Sequence, residues 1–460
     1  MKDLTEGSVI RHLLNMAAFL AVSMLMQTLY LLTDLYWVGR LGKEAIAAVG
    51  VAGNLMMVVM ALTQMLGVGT TALIAQAAGR KDQAHAEEAF NQSLLMSLCI
   101  AFAFGVAGFL VRDPYCRALT PDEVTATLAK QYLNWFIPAM LLQFPLVTLG
   151  SALRATGIVK PAVGLQVLSV ALNMVLAPLL VFGIGPWPRL GVAGAALATF
   201  VSILVADVLM VLYFERKYHY LRLRFAQWRP QMKIWWAMLK IGLPAGAEFA
   251  LFSIYVFVVY AIIRQFGAAA QAGFGIGARV MQAMFLPVLA LSFAVSPVVG
   301  QNFGGRHAER VRHSVFAAIG LSSAMMALLT ATAWLFAPIF IRGFSHDPQV
   351  VAFGSQYLTI VSLNFLASGI AFSSSSVFQG LGNTVPPLLC TASRLLLFAL
   401  PAILLSRRAD FQIRQVWYLS VISQVIQAVL ILLLLKRELG RKLKFDEVPI
   451  AGPVMQTLET

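Results

Sequence analysis

The sequence is short of charge: of 460 residues only 12% are Asp, Glu, Lys or Arg, whereas 59% are apolar or aromatic. Soluble domains carry about 25% charged and about 45–50% apolar residues, so a soluble body of this size would lack the charge to cover its surface. Cysteine is scarce as well. Cys99, Cys116 and Cys390 are the only three, and two of them fall inside apolar runs, which argues against a disulfide scaffold and for small buried hydrophobes. The six histidines are mostly terminal or in loops, and neither HExxH, nor a nucleotide-binding loop, nor a His/Cys cluster occurs. No catalytic residue, no metal ligand and no cofactor are expected, and a membrane enzyme or an ATPase domain would need what this chain does not have.

What the chain has is long apolar runs. A helix that crosses a bilayer needs about 20 mostly apolar residues and satisfies its own backbone. The runs predict an all-α polytopic membrane protein with twelve spans, at 11–38, 45–73, 88–110, 126–150, 161–183, 191–214, 234–263, 270–300, 311–336, 350–378, 386–406 and 415–435. They do not alternate as the strands of a membrane β-barrel would. The first run is too long for a cleavable leader and carries Asp34, so it is expected to be retained.

Charge placement suggests the orientation. With both termini in the cytoplasm, the inward side carries 21 Lys and Arg against 11 on the outward side, the bias the positive-inside rule requires. The expected location is the cell inner membrane. The connection near 215–233 contributes most, with Arg216, Lys217, Arg222, Arg224, Arg229 and Lys233. No aromatic-interleaved module accompanies these charges, so anionic membrane lipid is the expected partner and nucleic acid is not. The tail from Lys436 reads in the same way.

An internal repeat runs at one constant offset: Gly42 faces Gly267, Gln76 faces Gln301, Gly79 faces Gly304, and Gly157 and Pro161 face Gly382 and Pro386. The register predicts two parallel six-helix units, 1–220 and 221–435, followed by a basic cytoplasmic tail at 436–460. Parallel repeats of this kind are a transporter architecture with a central cavity between the halves. A monomeric functional unit is expected.

Acids inside spans carry the functional signal. Gln27, Tyr30 and Asp34 lie on one helical stripe, and a carboxylate there must face protein or a water-filled cavity, where it exchanges a proton or holds a cation. Glu248 lies one turn after Pro244, in a helix that Gly242 and Gly246 allow to pack closely, and its repeat counterpart is Ser23. Asp207 is expected near a helix end beside Glu215, Arg216 and Lys217. Asn173 is an amide placed to donate to Asp34 or to accept from an ion. Tyr132, matched by Tyr357, either lines the cavity or belongs to an aromatic belt. Arg279 and Arg394 either snorkel or compensate buried acids. Thirty Phe, 19 Met and 11 Tyr offer adaptable walls for hydrophobic organic cations.

Taken together, TDLYWVGRLGKEAIAAVG at 33–50, AQAAGRKD at 75–82, ATGIVKP at 155–161, LNMVLAPLLVFG at 172–183, FGAAAQAGFGIGARV at 266–280, GQNFGGR at 300–306 and QGLGNTVPP at 379–387 resemble the multidrug and toxic compound extrusion (MATE) family over about 11–435. The resemblance implies a twelve-helix, two-lobe exporter that exchanges organic compounds for inward H⁺ or Na⁺. It also implies that Asp34 is the first-helix coupling aspartate, Tyr30 its neighbour and Asn173 the fifth-helix partner. The chain departs from the pattern in three places. Ala177 stands where an Asp often follows the asparagine, which favours H⁺ over Na⁺. Phe252 occupies the usual place of a seventh-helix carboxylate, with Glu248 one turn earlier, and the segment 368–382 has no acid. The resulting expectation is a proton-coupled exporter of hydrophobic organic cations, with Asp34, Tyr30, Asn173 and Glu248 coupling the ion, and with Gln27, Tyr30, Asp34, Tyr132 and Glu248 lining the cavity. A Na⁺-coupled antiporter and a flippase for a lipid or polysaccharide precursor are the alternatives.

Overall fold

The computed structural model describes residues 1–120, 122–408 and 410–445; the part of the basic tail beyond 445 lies outside them. The described residues form a bundle of helices. The first half of the chain supplies α1 (Val9–Gly39), α2 (Lys43–Gly79), α3 (Gln83–Leu119), α4 (Glu123–Ala155), α5 (Lys160–Phe182) and α6 (Val192–Arg216). The second supplies α7 (Met232–Ile263), α8 (Ala268–Gly304), α9 (Ala308–Arg342), α10 (Pro348–Val361), α11 (Asn364–Gly380), α12 (Val385–Leu405) and α13 (Ile413–Lys442). Eleven of these are long and apolar enough to cross a membrane, and α10 with α11 passes the same test as a pair bent by 54°. The fold is that of an all-α multi-pass membrane protein. The 37-residue helices α2, α3 and α8 reach about 55 Å at 1.5 Å per residue, well beyond a hydrocarbon core of about 30 Å.

The sequence offset reappears in the backbone. α2 and α8 begin and end in the same register that relates Gly42 to Gly267, and α3 and α9, α4 and α10, and α5 and α12 begin in it. Gly157 and Gly382 adopt φ of +74° and +72°, and the non-glycine pair Lys81 and Arg306 adopts +60° and +58°. Those left-handed residues turn the chain at the ends of matching helices, where αL conformation closes off the last carbonyls.

The tenth expected span, 350–378, is not one helix. It breaks at Ser362 and Leu363 between α10 and α11. Leu363 is the repeat counterpart of Pro138, which α4 passes without interruption. Backbone groups at a break inside a membrane have to be satisfied: the Ser362 carbonyl accepts from Phe365 N at 2.9 Å, with Thr330 Oγ1 of α9 3.0 Å from the same oxygen.

The halves meet at the end that carries the N-terminus. There Leu4, Leu13, Met16 and Leu20 pack on Leu291, Val295 and Val299 of α8, and Val68 and Ala72 of α2 pack on Ile241 and Ala245 of α7. The backbones approach closely: a Cβ on Gly69 would stand 2.8 Å from the Met238 carbonyl oxygen, and Gly79 and Gly304 lie directly against the carbonyls of Gln301 and Gln76. Residues 2–7 cross this seam as a strap. Lys2 N donates to Thr156 O at 2.9 Å in the first half, whereas Leu4 N donates to Gln301 Oε1 at 2.9 Å and Arg310 Nη2 to Gly7 O at 3.0 Å in the second. Toward the opposite end, Gly50 and Gly53 of α2 face open space. The close backbone approaches between the halves thus lie at the N-terminal end.

The connection between α6 and α7 is fixed rather than loosely hung. Buried Asn91 on α3 donates to Arg222 O at 2.9 Å and accepts from Arg224 N at 2.9 Å, while Gln92 accepts from Gln231 N at 3.0 Å. Glu87 pairs with Arg224.

Candidate functional site

Asp34 belongs to the last quarter of α1, in a span whose composition gives it no neighbouring charge to offset burial. It is 6% exposed, and its Oδ1 has no hydrogen-bond partner among the described residues. Arg40, six residues on, does not reach it: its guanidinium donates to Tyr36 Oη at 2.6 Å and lies over the rings of Tyr36 and Trp37. A carboxylate inside a span is costly, faces protein or a water-filled cavity, and marks a path for an ion or a proton.

One turn before Asp34, Tyr30 meets α6. Its hydroxyl lies 2.8 Å from Thr199 Oγ1. Thr199 donates its own proton to Ala195 O at 3.2 Å, so Tyr30 is the donor, and Asn173 Nδ2 of α5 donates to the same oxygen at 3.3 Å. Thr199 thus joins α1, α5 and α6 at one atom. Asn173 is 1% exposed and its Oδ1 is unpartnered among the described residues. Of the residues expected in this cluster, the structure brings Tyr30 and Asn173 together through a hydroxyl that sequence reasoning missed. No hydrogen bond joins Asn173 to Asp34 among the described residues. The only available signal for Thr199 was a hydroxyl in the apolar run GAALATF.

Gln27 follows the expected stripe but is exposed, while Tyr132 is buried in the first-half core and stacks on Phe136 with centroids 5.0 Å apart. Asp207 departs from the expected position at a helix end. It lies roughly two and a half turns inside α6, is 7% exposed, and neither of its carboxylate oxygens has a partner among the described residues.

Glu248 has a different setting. Ser375 Oγ donates to its Oε2 at 2.9 Å and Thr391 Oγ1 to its Oε1 at 3.3 Å. Gln427 Nε2 donates to Thr391 at 3.0 Å, and Gln424 Nε2 to Gln427 Oε1 at 3.2 Å. The serine run in α11, which has no acid, supplies one donor directly. Both carboxyl oxygens are thereby engaged, unlike the free oxygen of Asp34.

The second half also has a tyrosine at the place of Tyr30. Tyr255 Oη lies 2.7 Å from Ser420 Oγ, to which Asn364 Nδ2 donates at 3.0 Å. A tyrosine, a hydroxyl on the last helix of the half and an asparagine therefore occur twice, with the asparagine coming from α5 in one case and α11 in the other.

Comparison with known proteins places this bundle, with its buried polar clusters inside apolar helices, among membrane transporters. The MatE family model matches residues 20–179 and again 244–404, and the chain belongs to that family. It is 27% identical over 415 residues to the FAD transporter of Shewanella oneidensis, covering 89% of this chain and 91% of that one. It is 26% identical over 383 residues to the multidrug export protein MepA of Staphylococcus haemolyticus, covering 82% and 83%. A solved outward-facing structure of a multidrug resistance MATE family transporter of the MOP superfamily superposes with a TM-score of 0.88 at 25% identity, over 96% of this chain and 99% of that one. A MOP superfamily transporter from Pyrococcus furiosus, described as having a binding pocket of reverse polarity, superposes with the same score at 25% identity, over 96% and 98%.

Proposed function

We propose that the chain is a secondary active multidrug efflux antiporter that exports hydrophobic organic cations in exchange for inward H⁺. The observation that carries this reading is Asp34: a buried carboxylate inside a span, with one oxygen free and a tyrosine, threonine and asparagine cluster one turn away. As the halves rock, such an acid takes a proton from one side and releases it to the other, and its protonation state biases which face is open. Tyr30 and Asn173 position the cluster beside Asp34, and Glu248 is a secondary coupling group in the second half. Gln27, Tyr30, Asp34 and Glu248 line the route, and Tyr132 packs behind it in the first-half core. Ala177 supplies no second carboxylate, so H⁺ is favoured over Na⁺.

The multidrug name of the S. haemolyticus relative supports a broad cargo, whereas the FAD name of the S. oneidensis relative means that the fold by itself does not choose one. In this reading the bent pair counts as one span, giving twelve in two parallel repeats, 1–220 and 221–435, with the basic tail from 436 and both termini in the cytoplasm. The protein acts as a monomer in the cell inner membrane, with lipid headgroups on its basic connections. The closely packed N-terminal end then faces inward.

The test is transport in proteoliposomes. An imposed proton gradient should drive tetraphenylphosphonium movement opposite to the proton flow without Na⁺. Dependence on a Na⁺ gradient alone would select the Na⁺-coupled alternative, and saturable movement of an anionic lipid-linked precursor without any cation transport would select the flippase.

A further inference from the structure

The repeat matches Tyr30 with Tyr255, but the charge beside the two tyrosines has opposite sign. The counterpart of Asp34 in α7 is Val259, and where α5 has Ser169, α12 has Arg394. The Arg394 guanidinium carbon lies 4.4 Å from the centre of the Tyr255 ring. By helical spacing Arg394 shares a face of α12 with buried Cys390, Thr391 and Phe398, opposite exposed Leu389, Leu396, Leu400 and Ile403, so it points into the protein and away from lipid. Among the described residues no acid pairs with it, and its Nε is buried without a partner. The one nearby carboxylate on α7, Glu248, is taken by Ser375 and Thr391.

The shelf under Arg394 is rigid. Tyr255 is held by Ser420 at 2.7 Å, packs on Phe398 with centroids 4.9 Å apart and lies nearly parallel to Phe252. A planar guanidinium stacked on a ring presents donors in a fork that matches carboxylate or phosphate, and an unpaired cation inside a span is costly unless something accepts from it.

We infer that Arg394, stacked on Tyr255, is a subsite for the carboxylate or phosphate of a planar aromatic cargo. The transport route then has an acidic pole at Asp34 and a basic pole at Arg394, with Phe252 and Tyr255 taking the aromatic part. The inference rests on the transport reading above and adds to it a named anion-binding residue in the second half.

Riboflavin and riboflavin 5′-phosphate share one ring system and differ by a phosphate monoester, so the pair isolates the anion. Binding of both to the full chain in phosphatidylcholine nanodiscs, read by flavin fluorescence, should favour the phosphate by about tenfold, the size of a charge-assisted contact. Arg394→Gln should reduce that preference to within about twofold, and Arg394→Lys, which keeps the charge but loses the fork, should retain part of it. The ratio of the two ligands serves as the readout because a general loss of fold lowers both together. Equal binding by the wild-type chain, binding of neither flavin, or an unchanged preference in both variants would overturn the subsite. So would loss of the preference when phosphatidylglycerol is added, which would assign Arg394 to a lipid headgroup. Failure of the transport reading is separate: it shows as absent gradient-driven cation movement, whatever the flavins do.

Discussion

Gln76 and Gln301, repeat counterparts of each other, clasp the two halves reciprocally. Gln76 Nε2 donates to Gly380 O at 2.9 Å, and Gln301 Nε2 donates to Ala155 O at 2.8 Å. The two acceptors are repeat counterparts as well, and they end matching helices. Gln301 Oε1 also receives Leu4 N of the strap. Each side chain therefore caps a carbonyl that its own half cannot satisfy, and both bonds have to break for the N-terminal end to open.

The double variant Gln76→Ala, Gln301→Ala should shift the molecule toward the state open at that end. At about 1 kcal/mol net for each hydrogen bond, the equilibrium moves by roughly thirtyfold. Spin labels on cysteines replacing Arg80 and Arg306 would report this as a longer second distance that the wild-type clasp suppresses. An unchanged distance distribution would mean that apolar packing alone holds the seam.

Thr199→Val keeps the side-chain volume but leaves the Tyr30 hydroxyl and the Asn173 amide without their shared acceptor. A buried donor left unpaired costs about 1–3 kcal/mol. The variant should unfold at a lower temperature and show at least tenfold slower gradient-driven transport, whereas Thr199→Ser should behave nearly as the wild type. Equal transport rates for all three would remove Thr199 from the coupling cluster.

This hub also marks the limit of what could be read from the sequence. The apolar runs, the repeat register and the position of Asp34 and Glu248 inside spans were legible because hydropathy, spacing and charge inside a span are all signals carried by the sequence itself. Thr199 was not legible, because one hydroxyl in an apolar helix looks the same whether it returns its bond to its own backbone or receives two from other helices. The break at Ser362 and Leu363 was hidden for a related reason. Neither residue is a helix breaker, and the matching place in the first half holds Pro138 inside an unbroken α4, so nothing local marks the position. Asp207 looked like a headgroup-level acid because three charges follow it in sequence, yet helix packing buries it. The glutamine pair was visible as a repeat match, but its exchange between halves depends on tertiary contact.

Glu248→Gln should fold and transport with at most a few-fold loss, since an amide still accepts from Ser375 or Thr391. Glu248→Leu should be clearly less stable, because it leaves both hydroxyls in an apolar interior without that acceptor. Thermal unfolding in detergent, run beside transport assays, separates the two effects. A Glu248→Gln variant as inactive as Asp34→Asn would make Glu248 an equal partner in coupling rather than a secondary one.

Removing residues 2–6 should loosen the same seam that the glutamines hold. Leu4 is fully buried and its backbone is bonded to both Gln301 and Asn302. The truncated chain should exchange amide protons faster in α8 near Gln301 and near Thr156, with the helices at the opposite end unaffected. Protection unchanged at both sites would show that the strap is not part of the closure.

The central claim is that Asp34 couples proton flow to cargo movement. Asp34→Asn preserves the size of the side chain and removes its ability to cycle a proton. Purified wild-type and variant chains in sealed liposomes, given an imposed pH gradient and tetraphenylphosphonium without Na⁺, provide the most direct measurement. The account predicts gradient-driven uptake in the wild type and only gradient-independent exchange in Asp34→Asn at equal protein incorporation; equal gradient-driven uptake by both would contradict it.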